Sequence, residues 1–219
     1  MRTAQPVLAS RVAQRPDLGE GGFTLVEFMI AGLIMSIVLG GTIALATQIQ
    51  KAYGNQLDDV AVEQETRFAL DWIARDLRSA GSDPYDIIPN NQEVWIDPNA
   101  GPDANDSIRV QADSANPGPD GDFLDPGENV TITIAGASPN MFITRQDPNA
   151  ADPAALAMTE AIFTDLTFSY LNAAHAATAN PELIAYVQVQ VTAQSRARNP
   201  NTLQFTTSTL STEVRLRTR

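Results

Sequence analysis

The first long hydrophobic segment of the chain runs from Phe23 to Ala46 and carries one ionisable side chain, Glu27. As a helix it would measure roughly 36 Å, more than the bilayer hydrocarbon core of about 30 Å. The pattern therefore predicts a membrane-spanning helix. An acid costs about 2.5–3.5 kcal/mol near the centre of such a span. Because the helix dipole offsets only about 0.3–1 kcal/mol of that cost in the first turn, we expect a cationic partner for Glu27.

An amphipathic continuation of this helix is predicted over 47–81, because no proline interrupts it and Gly81, followed by Ser-Asp-Pro, provides a stop. At 100° per residue its apolar side chains form two ridges instead of one. Ridge one comprises Leu57, Ala61, Phe68 and Trp72, and ridge two comprises Val62, Ala69, Leu70, Ile73 and Leu77. We expect one ridge to pack on the chain's own sheet and the other on neighbouring chains. A helix sunk in its own core is the alternative.

Short strands between turn-rich loops are predicted for the rest of the chain. The expected strands are Glu93–Ile96, Ser107–Gln111, Asn129–Ala135, Met141–Arg145, Leu166–Tyr170, Val187–Val191, Leu203–Thr206 and Glu213–Leu216, the last two forming a hairpin-like return. Strands that follow one another after a single long helix indicate an antiparallel sheet packed on that helix, which is an α+β fold.

Composition narrows the classes of function. The chain has 219 residues, no cysteine, and 26 acidic against 14 basic residues, giving a formal charge of −12. An acidic body argues against nucleic acid or anionic lipid as the main partner. The one histidine, His175, has no acid near it in the sequence, and no cysteine nucleophile, phosphate-binding glycine loop or histidine-bearing metal motif is present. We therefore expect a protein of assembly or interaction, and not an enzyme.

A run of acids and turn residues lies between 116 and 128 and includes Asp120, Asp122, Asp125 and Glu128. Clustered carboxylates with a glycine at a sharp turn suit Ca²⁺, which takes 6–8 oxygen ligands. The spacing departs from that of an EF-hand loop, and Asp-Gly and Asp-Pro-Gly also form turns by themselves. A calcium site and a simple acidic turn are therefore both open interpretations.

The residues before the apolar segment carry a specific motif. Gly22, Phe23, Thr24, Leu25, Val26 and Glu27 precede a long apolar helix, and this arrangement resembles the type IV prepilin family. An ordinary signal peptide would instead be cut after its apolar segment. The resemblance implies that a separate prepilin peptidase cuts after Gly22 and methylates the amine of Phe23. It also implies that Glu27, with Thr24 and Leu25 beside it, serves assembly by pairing with the amine of a neighbouring subunit.

The resemblance also implies a domain organisation. Residues 1–22 would be a leader, 23–46 the membrane half of the helix, 47–81 its amphipathic half and 82–219 a periplasmic β-rich body. Arginines in the leader orient the N-terminus to the cytoplasm, so the chain would cross the inner membrane once before entering a pilus on the cell surface. Implied partners are other pilins, the prepilin peptidase and an inner-membrane assembly platform.

The end of the helix, from Asp76 to Gly81, is similar to that of PilW-type minor pilins and of the related J-type pseudopilins of type II secretion. The expected function is therefore that of a minor pilin that primes or caps a type IV pilus. Two alternatives stay open, a type II secretion pseudopilin and a pilus-borne adhesin whose acidic loops contact a surface. A membrane-anchored enzyme is the least favoured class.

Overall fold

A computed structural model describes residues 22–85, 87–88, 96–98, 105–113, 118–199 and 202–216. One α-helix, α1, extends over Leu25–Ser79, and its apolar N-terminal stretch is long enough to cross a membrane. The side chains of that stretch are exposed. The chain therefore has one candidate membrane span near its N-terminus, as the apolar segment predicts. It divides into two compact units, Met1–Ile49 and Gln50–Arg219, close to the predicted change of polarity at Ala46.

The helix ends where the sequence predicts. Gly81 adopts a positive φ of 73°, a conformation that glycine reaches without the steric cost of a Cβ. The N–H of Ser82 donates to the carbonyl of Ser79 over 3.0 Å, which caps one of the last helical carbonyls. Gly81 therefore stops α1, and the chain turns towards the sheet.

The fold is α+β, with the second unit built on an eight-stranded antiparallel sheet. Its strands are β1 (Ile96–Asp97), β2 (Ser107–Gln111), β3 (Asn129–Ala137), β4 (Asn140–Gln146), β5 (Leu156–Ala157), β6 (Phe163–Leu171), β7 (Tyr186–Arg198) and β8 (Phe205–Arg215). The order across the sheet is β1-β2-β3-β4-β6-β7-β8, and β5 pairs with β4. The predicted positions of β2, β3, β4, β6 and β7 are confirmed, whereas 93–95 lie outside the described residues.

The predicted hairpin-like return at the C-terminus is wrong. The structure has one continuous strand, β8, which pairs with β7 without a register shift from Thr207 to Arg215. The stretch between the two predicted strands consists mainly of threonine and serine and contains no glycine or proline. Threonine favours extended backbone, and no turn residue interrupts the pairing, so the strand continues.

The two predicted ridges of α1 differ in burial within the second unit. Ridge two is buried, with Ala69, Ile73 and Leu77 fully enclosed in a core that also contains the inward side chains of β2, β3, β4, β6 and β7. In ridge one, Leu57 and Phe68 are 54% and 53% exposed. Trp72, at the C-terminal end of this ridge, is partly buried and packs against the core. The prediction that one ridge packs on the chain's own sheet is confirmed. The alternative of a helix sunk in its own core is wrong, because covering both ridges would require apolar partners on two sides.

The sheet opens between β4 and β6, which share only the pair Met141↔Phe163. The carbonyl of Asn105 accepts the N–H of Phe168 over 2.7 Å and thereby occupies part of the freed edge of β6. Tyr170 is buried nearby, and its hydroxyl lies 3.5 Å from the carbonyl of Ser107. Burial, together with the negative charge of Asp97, raises the pKa of Tyr170 above its usual value.

Because ridge two is buried and ridge one is largely exposed, substitutions in the two ridges should differ in their effect on the free energy of unfolding. Ile73→Ala should lower the free energy of unfolding by about 2–5 kcal/mol, because it leaves a cavity in a closed core. The control Phe68→Ala, on the exposed ridge, should cost less than about 1 kcal/mol. Urea unfolding of a fragment beginning at Gln50 measures both. Equal losses would mean that the chain covers ridge one by itself.

Candidate functional site

The first turn of α1 forms a capping box. Thr24 precedes the first helical residue, Leu25, and occupies the N-cap position. The N–H of Glu27 donates to Thr24 Oγ1 over 3.3 Å, and the N–H of Thr24 donates to Glu27 Oε2 over 2.9 Å. The Thr24 hydroxyl donates to the same Oε2, also over 2.9 Å. Each residue thus satisfies a backbone donor of the other, which fixes the point where the helix begins.

This geometry revises the prediction for Glu27. From the sequence, we expect a cationic partner to compensate most of the cost of the Glu27 charge. The capping box already satisfies one carboxylate oxygen of Glu27 within the same chain. Within the described residues, Oε2 takes both bonds from Thr24, so Oε1 is available to a further donor. The signal was present in the sequence, because Thr-Leu-Val-Glu is a capping-box pattern ahead of an apolar run.

The predicted cleavage position lies directly before this cap. Gly22 and Phe23 precede α1 without helical structure, and Phe23 is 91% exposed. Leu25 is also exposed, at 76%. A Cβ built on Gly22 would have no neighbour within 4 Å, so the subunit itself does not require glycine there. Within the described residues, nothing therefore crowds the bond between Gly22 and Phe23.

Three of the four predicted ligands in the acidic loop bind the loop's own backbone. The fourth, Asp125, has a buried Oδ2 without a hydrogen-bond partner among the described residues. Asp120 Oδ1 accepts the N–H of Asp122 over 3.3 Å, and Asp122 Oδ1 accepts the N–H of Leu124 over 2.8 Å. Glu128 is buried, and its Oε2 accepts the N–H of Asp125 over 3.2 Å. Across the described ranges, no three His, Asp or Glu side chains stand close enough to hold a metal ion. The described carboxylates of the loop are therefore not gathered around one point, and calcium binding stays a prediction.

Three residues that the sequence argument did not select hold this loop. Asp113 is fully buried and accepts the N–H groups of Asp120 and Gly121 over 3.2 and 2.9 Å. Asp147, which directly follows β4, accepts the N–H of Gly127 over 2.6 Å. Asn149 Nδ2 donates to the carbonyl of Phe123 over 2.6 Å. The contacts of Asp147 and Asn149 cannot be predicted from spacing, because only the pairing of β3 with β4 brings these residues beside the loop. Asp113 lies only seven and eight residues before the groups that it binds.

The loop is also linked to the helix through Arg145. Its Nε donates to Asp76 Oδ2 over 3.3 Å, and its Nη1 lies 3.9 Å from Asp147 Oδ2. All three side chains are at least partly buried, so water screens these contacts less than it would at an open surface. The end of α1, strand β4 and the acidic loop therefore form one polar network.

His175 has partners that the sequence did not reveal. Its Nδ1 lies 3.8 Å from Glu213 Oε1 on β8, and its ring stacks on Tyr186 with centroids 4.2 Å apart. His175 is an exposed loop residue, as expected, and the acid beside it comes from a strand distant in the sequence, so sequence spacing could not show the contact. The stacking on Tyr186 and the proximity to Glu213 place the 172–177 loop against β7 and β8.

No protein-family model, curated protein or solved structure matches the chain.

The buried carboxylate of Asp113 should be important for stability. Asp113→Ala leaves the N–H groups of Asp120 and Gly121 without their acceptor and should cost about 1–3 kcal/mol. Asp165→Ala, on the exposed side of β6, is the control and should cost less than about 0.5 kcal/mol. Thermal unfolding of the Gln50–Arg219 fragment tests this. A loss of equal size in both variants would show that the loop contacts add nothing.

The calcium hypothesis stays a prediction with a defined test. If Asp120 and Asp122 turn from the backbone to a cation, calcium at fixed ionic strength should raise the melting temperature of the fragment. The gain would follow RT ln(1 + [L]/Kd), about 2.7 kcal/mol at a hundredfold excess over Kd. The double variant Asp120→Asn/Asp122→Asn should lose this gain. If both proteins respond equally to calcium, the loop is only a turn.

Proposed function

We propose that this chain is a minor pilin, a subunit stored in the inner membrane that is cleaved after Gly22, methylated at Phe23 and then used to prime or cap a type IV pilus. The observation that carries the proposal is the combination at the start of α1. A sterically open Gly22-Phe23 bond lies directly before a capped helix whose N3 residue, Glu27, is the one acid of an apolar span.

The capping box supports a specific role for Glu27 in assembly. One carboxylate oxygen binds Thr24 and holds the side chain against the first turn. The second oxygen can then meet the amine that cleavage creates on Phe23 of a neighbouring subunit. Such a pair, largely removed from water in a membrane or filament core, would be much stronger than an exposed ion pair, because the local dielectric is low. The cap would thus orient the acid, and the neighbour would neutralise it.

The exposed ridge supports lateral packing between subunits. Leu57 and Phe68 are more than half exposed on a helix whose opposite side is buried. Apolar patches of this kind on a monomer mark surfaces for interaction. In a filament the ridge would lie against the helices of neighbouring pilins, and the acidic body would stay solvated outside.

A type II secretion pseudopilin is the second candidate, since the helix end from Asp76 to Gly81 resembles both classes. Both functions would use the same processing and the same helix. Deleting the gene and scoring surface pili against secretion of exoproteins separates the two functions. Loss of pili with normal secretion supports the minor pilin.

Processing is the first test of the proposal. Mass spectrometry of protein recovered from membranes and pili should find a chain that begins at N-methylated Phe23. Gly22→Val should block cleavage, because a branched side chain would meet the cleft of the peptidase, whereas Gly21→Val should still be cut. The subunit has room for a side chain at position 22, so a block would not reflect misfolding. An intact Met1 terminus in assembled material would contradict the proposal.

Glu27 provides the second test, and the capping box makes it sharper. Glu27→Gln keeps an oxygen for the Thr24 N–H but removes the charge, whereas Glu27→Ala removes both. Both variants should fold their β-rich unit normally, and both should be depleted from pili. The measurement is the amount of each variant in sheared pili relative to that in membranes.

The comparison between the two variants separates charge from capping. If Glu27→Gln enters pili as well as the wild type while Glu27→Ala does not, the cap alone is needed and the pairing with the Phe23 amine is dispensable. Normal incorporation of both would remove the assembly role altogether.

A further inference from the structure

Strand β8 forms one edge of the sheet and pairs only with β7 among the described strands. It is 11 residues long, whereas β1 at the opposite edge has two. An edge strand presents a row of unpaired backbone donors and acceptors, which is a template for pairing with another chain. The length of β8 makes this edge the larger of the two templates.

The direction of the free backbone groups follows from two hydrogen bonds. Just beyond β8, the N–H of Leu216 donates to the carbonyl of Ala185. At its start, the N–H of Thr206 donates to Ser195 Oγ. Both even-numbered residues therefore point towards β7. Since successive residues of a strand direct their backbone groups to alternate sides, the odd-numbered residues from 207 to 213 direct theirs to the open edge.

β8 carries few of the usual protections of an edge strand, since its charged side chains, Glu213 and Arg215, both lie near its C-terminal end. It contains no proline or lysine, and no bulge interrupts its pairing between Thr207 and Arg215. Its inward side chains are also incompletely covered. Leu210 is partly buried, whereas Val189 and Val191 on the adjacent β7 are fully buried. An added strand would complete both the backbone pairing and this cover.

The side chains of β8 are compatible with a second copy of the same strand. A two-fold axis through Leu210 would pair the whole strand, because Phe205 and Arg215 are equally far from it in the sequence. Each Arg215 would then face the aromatic ring of Phe205, and each Glu213 would face a threonine, Thr207. No like charges would oppose each other, a condition that favours antiparallel pairing.

We propose that β8 pairs antiparallel with β8 of a second copy of this chain, centred on Leu210, to join the two sheets of a homodimer. On the inward side the two Leu210 side chains meet. They form a pair without backbone hydrogen bonds, for which the Cα atoms lie about 4.5 Å apart. This surface differs from the helix ridge used in the proposed function.

The absence of cysteine provides a direct test, because an introduced thiol is the only one in the chain. The full-length variant Leu210→Cys, expressed in membranes and mildly oxidised, should form a disulfide-linked dimer, since the Cα separation lies within the range of about 4.4–6.8 Å for disulfides. Ser208→Cys is the matched control on the same side of the strand. Its two thiols would be about 13 Å apart along the strand and should not link.

Two further variants keep the test decisive. Ser208→Cys/Thr212→Cys retains Leu210 and places the two thiols opposite each other across the proposed interface, so it should link even if Leu210→Cys folds poorly. Thr209→Pro, added to Leu210→Cys, loses the side-chain hydrogen bond to Thr192 on β7, as Thr209→Ala also does. The proline in addition removes an outward N–H but no backbone hydrogen bond to β7, and it should reduce linking several-fold. Thr209→Ala in the same background should not.

The outcomes are distinct. Several-fold more dimer for Leu210→Cys than for Ser208→Cys, together with linking of the double variant, supports the proposed pairing. Equal linking of Leu210→Cys and Ser208→Cys would indicate random collision and would overturn it. Failure of both Leu210→Cys and the double variant to link, in protein that resists proteolysis as the wild type does, would also overturn it.

Discussion

The structure depends on one constraint, which is that α1 carries two apolar ridges and a single sheet can cover only one of them. Burial of Ala69, Ile73 and Leu77 against the inward side chains of the sheet forms the core of the second unit. Burying such side chains contributes about 1.5–3 kcal/mol for each large aliphatic group, and no cysteine is present to supplement it with a disulfide. The same packing leaves Phe68 and Leu57 exposed. The same helix thus provides part of the core of the second unit and an exposed apolar ridge.

Polar contacts hold charged side chains at the two ends of α1. At the start of α1, Thr24 and Glu27 satisfy each other's backbone donors in a segment where water would be scarce in a membrane. At the far end, Arg145 joins Asp76 to Asp147 and so ties the helix to the acidic loop. In both places a charge is held by groups within hydrogen-bonding or ion-pairing distance, which reduces the cost of removing it from bulk water.

Two exposed surfaces of the described residues, the ridge of Leu57 and Phe68 and the edge of β8, differ in the contacts they can make. The ridge of Leu57 and Phe68 is apolar and non-directional, so it can accept helices over a range of angles. The edge of β8 offers backbone hydrogen bonds in a fixed order, so it specifies strand direction and register. A protein with both surfaces can form two types of contact at once, one through helices and one through strands.

Local patterns in the sequence determined where several elements of this protein begin, end and alternate. The apolar run before Ala46, the stop at Gly81 and the alternation in Val187, Val189 and Val191 each depend on neighbours within a few residues, and periodicity is sufficient to locate them. The capping box at Thr24 and Glu27 is equally local and could have been predicted from the same letters.

Tertiary structure decided what depends on residues distant in the chain. Periodicity showed two ridges on α1, but only the position of the sheet determined which one is buried. The acidic loop looked like a set of cation ligands, yet Asp147 reaches it from the end of β4 and binds its backbone, as buried Asp113 does from nearer in the chain. The continuity of β8 likewise depends on pairing with β7, since threonine-rich segments carry no turn signal and take their conformation from the strand beside them. Contacts between remote segments arise when the chain folds, and local spacing contains no record of them.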